Sequence, residues 1–550
     1  MVATKQPDPG PRTPDPGLRT GSDTDTDTVA ATATDTGSME PVTTERMVTF
    51  SEALKMRHRI LVVTASFLGT FVVPARLEAA GFEYGPQGFH AVGRGGAFTV
   101  RADDPSAMYW NPAKLALLRG TRFHYSHNFV QESLTFQRAP GLRVDWKGDP
   151  AGAPVTFAPA SERLGFFPLN ASFALTSDFG LKDATFAVGM VGPSAVGKAR
   201  FDDPANQGAT RYSFLNMDIA MMFLTVSAAA RYREGDRDWF GVGLSLQYAM
   251  IPWLRYSMML IAPTGPTNQN GVASTGSDMR ADLDMKDLSG FTAIAGAWVR
   301  PLPYLELAVS SRLMPIRYQA TGKIRVSGAQ GDRMIFKNME PFSVPGTLSF
   351  TYPMTVQAGL RYFYEHGGRE VFDAELDFVW EHWSQLQSFD VTFSETKVEK
   401  LGYQMTFKKL VLERNYQDTY SVRLGGQWNA IPNWLTIRLG GWWESPAHRV
   451  AYTMVDFPSL NRFGLAAGLS TEWRGIELGV AYAHVFQQTR TVCAKQARIY
   501  QQVMQPDGSM LAYDGTAPDP YPVNGGRYSG SFDIVTIGLN LHFDSLIHPE

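Results

Sequence analysis

The feature that most constrains this chain is an alternation of apolar and polar residues with period two, repeated from residue 121 almost to the C-terminus. In Tyr420–Trp428, Tyr420, Val422, Leu424 and Trp428 share one face, and Ser421, Arg423 and Gln427 the other. In Phe372–Trp380, Phe372, Ala374, Leu376, Phe378 and Trp380 oppose Asp373, Glu375 and Asp377. Leu435, Ile437, Leu439 and Trp443 oppose Thr436 and Arg438, and Phe463, Leu465, Ala467, Leu469 and Trp473 oppose Arg462, Ser470 and Glu472. Successive side chains of a strand point to opposite faces, so each segment reads as a strand with one apolar face.

About fourteen such segments occur, each of near ten residues, the length of a tilted membrane-crossing strand. They run near 121–131, 169–178, 183–192, 220–232, 239–250, 289–299, 304–314, 354–365, 370–381, 419–429, 434–444, 462–473, 476–487 and 531–543. Short connections, such as Arg233–Asp238, His366–Gly368 and Arg474-Gly475, alternate with long ones, such as Pro252–Asp287, Pro315–Pro353 and His382–Asp418. A soluble sandwich would also alternate in polarity. It would not place aromatics repeatedly at segment ends or alternate short turns with long loops. The pattern specifies an all-β fold, an antiparallel transmembrane β-barrel of about 14 strands. An even strand count puts both ends of the barrel on one side of the membrane.

Composition excludes other classes. Mean hydropathy is −0.17, and the longest apolar run, Ile60–Val73, is too short for a membrane helix. A net charge of −3 leaves no basic footprint for nucleic acid. The one cysteine, Cys493, permits no internal disulfide.

The first 120 residues are organised differently. Residues 1–46 are a Thr/Asp/Pro/Gly/Ser-rich leader whose composition cannot bury a core. It is either upstream of a true start at Met47 or Met56, or a leader that is removed. Residues 47–79 read as a signal peptide: Lys55, Arg57, His58 and Arg59 form a basic flank, Ile60–Val73 an apolar core, and cleavage falls after Ala79. Residues 80–120 contain Gly93-Arg94-Gly95-Gly96, an Asp103-Asp104-Pro105-Ser106 turn and Asn111-Pro112-Ala113. Glycine at this density is costly in regular elements and suits backbone pressed against other structure. The barrel then occupies 121–543 and a tail 544–550.

The run GRGGAF at Gly93–Phe98, followed by ADDPSAMYWNPAKLA and, far downstream, Gly526-Arg527-Tyr528 with FDIVTIGLNLHF, resembles the FadL-type family of outer-membrane transporters for long-chain fatty acids and other hydrophobic compounds. The resemblance implies a hatch, or plug, folded into the lumen of a fourteen-stranded barrel. Gly93, Gly95, Gly96, Asn111, Pro112 and Ala113 would hold and gate it. It further implies capture at outer loops, an inner pocket, and lateral exit beside a kinked third strand near Asp183–Gly192. Gly189, Gly192 and Pro193 are the kink candidates. Met258, Met259, Leu260 and Ile261, an apolar run in a long outer loop, are candidates for ligand capture.

The expected function is passive uptake of hydrophobic compounds such as long-chain fatty acids or aromatic hydrocarbons, by a monomer embedded in outer-membrane lipid and lipopolysaccharide. No cofactor, metal or catalytic residue is expected. The alternatives are a porin for polar solutes and an outer-membrane lipid-modifying enzyme. For the latter there is no G-x-S-x-G, His124 and His127 lack zinc spacing, and Asp103-Asp104 reads as a cap. N-terminal sequencing of the mature protein is expected to give Ala80-Gly81-Phe82; any later start would remove the glycine-rich segment from the working molecule.

Overall fold

The computed structural model describes residues 81–140, 156–162, 165–193, 197–201, 208–261, 278–328, 341–393, 397–400, 403–406, 409–500 and 522–547. The leader and the signal peptide lie outside them.

Fourteen antiparallel strands close into a barrel. They are β1 Thr121–Arg138, β2 Phe167–Ser177, β3 Ala184–Met190, β4 Phe214–Glu234, β5 Arg237–Ile261, β6 Asp278–Leu302 and β7 Leu305–Arg312. The second half comprises β8 Thr355–His366, β9 Arg369–Glu381, β10 Thr419–Ile431, β11 Leu435–Glu444, β12 Arg462–Trp473, β13 Ile476–Val492 and β14 Gly526–His542. Each strand pairs with its sequence neighbours. Closure comes from an unbroken ladder between β1 and β14, from Arg122–His542 to Arg138–Gly526. A closed barrel pairs its wall amides strand to strand without water, as a bilayer requires.

The period-two pattern explains the wall. Val422, Leu424, Leu439, Leu465 and Leu469 face outward and are exposed, while Ser421, Gln427, Arg438 and Ser470 face inward and are buried. Exposed Tyr232, Phe240, Tyr304, Tyr364, Trp428, Trp434 and Trp473 stand beside the short turns, where an aromatic belt meets a membrane interface.

On the opposite side the wall continues well past the fourteen segments. Strands Ile316–Gly328, Phe342–Tyr352, Ser388–Phe393 and Lys409–Glu413 pair in succession and join the outer half of β6. The stretches expected as long loops are therefore largely ladder. Met258, Met259, Leu260 and Ile261 are a case in point: they form the last residues of β5, not a loop, and Met258, Met259 and Leu260 are buried. Both faces of β5 are covered here, so the run is apolar without alternation. The last strand ends at His542, and Phe543 opens a short helix, Phe543–Ile547, instead of closing the strand.

The third strand is the exception to a continuous wall. β3 stops at Met190, two residues short of expectation, and its last pair is Met190 with Leu224 of β4. Among the described residues, pairing with β4 resumes at Lys198–Arg200, opposite Asp218–Asn216. Between them Val191, Gly192 and Pro193 are buried, and Val191 packs in one apolar cluster with Phe98, Met108 and Trp110. Val191 holds the next inward position after Thr185, Ala187 and Gly189, and Gly192 lies against Phe223, so the ladder ends while the chain still borders β4.

Candidate functional site

Residues 81–118 contain two short helices, α1 Phe89–Gly93 and α2 Ala107–Trp110, and a 3-10 turn at Pro112–Leu117. Almost all of this segment is buried, and its contacts are with the inward faces of the strands. Its polar backbone must find partners there, since water is excluded.

β9 supplies most of them. Asp373, Glu375 and Asp377 lie two apart, so all three face inward. Arg94 is fully buried; its Nη1 donates to Asp373 at 2.8 Å and its Nη2 to Glu375 at 2.9 Å. Glu375 also accepts the amides of Val100 at 2.7 Å and Arg101 at 3.1 Å. Asp377 accepts those of Phe98 at 3.0 Å and Thr99 at 2.9 Å. Arg361 Nε reaches Asp373 at 2.5 Å and its Nη1 reaches Glu306 at 3.1 Å, and Lys114 Nζ pairs with Glu306 at 3.2 Å. Charges this deep are tolerable only when each has a partner.

The glycines serve close approach. Gly95 and Gly96 have φ of +63° and +80°, a left-handed turn that a side chain would strain. The wall answers with glycines of its own: a Cβ at Gly425 or Gly440 would collide with the Arg94 carbonyl, and one at Gly479 or Gly538 with the Phe89 ring. Gly93 sits against Gly468, where a Cβ would stand 3.1 Å from the Gly468 Cα.

Asn111-Pro112-Ala113 sits on the other side of the lumen. Asn111 Oδ1 accepts the Ala113 amide at 3.2 Å and starts the 3-10 turn; Nδ2 donates to the Thr99 carbonyl at 3.0 Å. Trp298 Nε1 donates to the Ala113 carbonyl at 3.0 Å, and Pro112 lies against Gly243 and Gly296. Of the kink candidates, Gly189 is in the ladder opposite Ala174 and Thr225, while Gly192 and Pro193 lie beyond its end.

His90, on α1, is held between Asp103 and Asp104 at 3.3 and 3.0 Å from Nδ1 and Glu477 at 2.9 Å from Nε2. Burial and Arg438 favour the neutral ring, but Glu477, Asp103 and Asp104 outweigh them and hold its pKa up to about 10. Asp104 caps the following turn as expected, its Oδ1 accepting the Ser106 amide at 2.8 Å. His124 meets Asn540 at 2.7 Å and Asp104 at 3.9 Å. Among the described residues no group of side chains has metal-ligand geometry.

Towards the long-loop end lies a narrow apolar chamber, nearly closed by its own lining, which includes Phe82, Ile219, Met221, Leu348, Phe389 and Phe457. Met258 and Leu260 belong to the same apolar cluster, and Met259 to a neighbouring one with Tyr212, Leu215 and Met454. Beneath Phe82 a polar cavity is lined by Glu83, Glu381, Glu444, Arg312, Arg423 and Gln357. Burial, reinforced by Glu381, pushes the Glu83 carboxyl up to about 7 against a hydrogen bond from Tyr352.

The alternation puts Asp373, Glu375 and Asp377 on one polar face, but gives no role to Glu375, His90, Glu83 or the inward wall glycines. The strand parity held the signal. An inward-facing D-x-E-x-D row demands cations, and glycine at inward positions of successive strands demands something lying against them.

A closed fourteen-stranded barrel whose lumen is packed with its own N-terminal segment, and whose outward face is apolar, is an outer-membrane transport barrel. Residues 71–513 match the sequence model of the outer membrane protein transport proteins (OMPP1/FadL/TodX), and the chain belongs to that family. No curated protein matches it. A Pseudomonas aeruginosa FadL homologue superposes with a TM-score of 0.63 at 14% identity, over 84% of this chain and 100% of that one. The toluene transporter TbuX of Ralstonia pickettii gives 0.54 at 14%, over 83% and 98%. The toluene transporter TodX of P. putida gives 0.56 at 12%, over 83% and 98%. The short-turn end is thus periplasmic and the extended wall extracellular.

Arg94→Ala is expected to cost about 3–5 kcal/mol, the penalty for removing one partner of the buried Arg94–Glu375 pair. Limited proteolysis of the folded barrel should then cut residues 81–118, with strand content by circular dichroism retained. The His90 contribution is complete below the free imidazole pKa near 6.5 and is lost as pH rises toward about 10, because the folded value is raised. The stability difference between wild type and His90→Gln, from thermal unfolding in detergent, should therefore be largest at or below pH 6.5 and shrink steadily above it.

Proposed function

We propose that this chain carries hydrophobic small molecules passively from the cell exterior through the extracellular chamber and out sideways between β3 and β4. The observation that carries this reading is the coincidence of a filled lumen with an interrupted wall. Below the chamber, residues 81–118 are bonded to strands around the barrel. Beside it, among the described residues, the β3–β4 ladder is missing from Val191 to Pro193.

The apolar lining continues from the chamber through Met221 to Phe223, and Phe223 abuts Gly192. A hydrophobic solute moving along this line stays out of water throughout. Residues 81–118 act as the hatch: Phe82, at its tip, forms part of the chamber wall, so an occupying ligand presses on the plug directly. The lumen charges support this over a polar pore. Arg438 pairs with Glu477, Arg462 with Glu444, and Asp373 with Arg94, so they hold structure instead of lining an open aqueous path. The process needs no chemistry and no cofactor.

A disulfide tests the exit. A Cβ at Gly192 would lie 3.6 Å from the Phe223 Cβ, within the range a disulfide spans. In a Cys493→Ser background, Gly192→Cys with Phe223→Cys should block uptake of labelled toluene when oxidised and restore it on reduction. Undiminished uptake by the oxidised protein would rule out lateral exit here.

A further inference from the structure

The chamber and its surroundings carry a statement about ligand charge. No polar atom faces the chamber from Ile219, Met221, Leu348, Phe389, Leu412 or Phe457. Its one hydroxyl-bearing neighbour, Tyr256, directs that hydroxyl to Asp456 at 2.8 Å.

Two of the described cations around it, Arg414 and Arg462, are already paired with carboxylates. Arg414 lies behind the wall, 4.6 Å from the Phe389 ring centre and 5.7 Å from that of Phe457. Its Nη2 is bonded to the same Asp456, so this buried guanidinium has a full counter-charge. On the floor, Glu83 follows Phe82 directly and takes the Tyr352 hydroxyl. The cavity below presents Glu83, Glu381 and Glu444 against Arg312 and Arg423. Arg462, alongside, is engaged by the Glu83 carbonyl and by Glu444.

A carboxylate brought into the chamber would add a negative charge to a region where carboxylates already meet or outnumber guanidinium groups. It would have to displace Asp456 from Arg414 or pass Glu83 without a partner. Removing a carboxylate from water without a partner is among the costliest transfers in a protein, whereas a neutral hydrophobe has no such term.

We propose, resting on the channel reading above, that this protein selects uncharged hydrophobic compounds and discriminates against amphiphiles bearing a carboxylate. Length and shape are secondary to that selection, because the chamber wall is built of deformable Met, Leu and Phe side chains.

The test compares two probes that differ only in the head group, 1-dodecanol and dodecanoate, both radiolabelled. Uptake is measured at pH 8 as the increment over cells lacking the chain. The increment for dodecanol is expected to exceed that for dodecanoate by about tenfold or more, the discrimination an unpaired buried charge imposes. A matching or larger increment for dodecanoate would overturn the selectivity while leaving the channel in place. No increment for either probe would overturn the channel reading and the selectivity with it. A second variant sharpens the result: Leu412→Lys, which puts an unmatched cation on the chamber wall, should raise dodecanoate uptake relative to dodecanol. A variant with an unchanged ratio would show that chamber charge does not set the preference.

Discussion

The structure depends on a row of carboxylates on one strand. Asp373, Glu375 and Asp377 point into the lumen from β9 and take two arginines and four consecutive backbone amides of the N-terminal segment. Buried ion pairs are poor sources of net stability, because desolvation cancels most of their attraction. They are good at fixing position: an Arg94 displaced from its two carboxylates would be left buried without a counter-charge, and Glu375 would lose its arginine. The row therefore sets where the segment sits more than how stable the barrel is. The barrel has its own source of stability in the closed ladder.

The wall is shaped to receive what the carboxylates hold. Glycines at inward positions of β10, β11, β12, β13 and β14 let the segment's backbone and the Phe89 ring lie directly on the strands. Across the lumen, Gly243 and Gly296 do the same for Asn111 and Pro112. Such contact leaves little room for water, which is why Glu375 and Asp377 are spent on main-chain amides. A loosely filled lumen could have left those amides to solvent.

Much of this was legible in the sequence, and the limits have a physical origin. The fourteen segments are local: alternation within ten residues and turn length after them depend on near neighbours, and a bilayer enforces both. The outer extension of the wall was not legible. Where both faces of a strand are covered, as at Met258–Leu260, alternation disappears and an apolar run reads as a loop or a patch. The end of β3 was misplaced by two residues because Gly192 continues the strand pattern while its backbone does not. The segment's contacts are the hardest case, since Arg94 and Asp373 are 279 residues apart. Only parity connects them: an odd-numbered acidic row on β9 must face whatever fills the barrel.

On the proposed lateral route, a filled lumen and an interrupted wall are two halves of one solution to a solvation problem. A solute burying about 200 Å² of apolar surface gives up roughly 5 kcal/mol on entering water at about 25 cal/mol per Å². That is a penalty of between three and four powers of ten in rate or partition if the route ends in the periplasm. A barrel open along its axis imposes this step on every molecule that passes. On the proposed lateral route, closing the axis with a segment that is itself tightly bonded, and leaving the outlet in the wall, removes it. The interruption after Met190 costs ladder hydrogen bonds that other strands keep, and the inward packing of Val191 on Phe98 and Trp110 offsets part of that loss. Val191 keeps the inward position that Thr185, Ala187 and Gly189 hold before it, so the segment that fills the axis packs on this strand up to the point where the ladder ends.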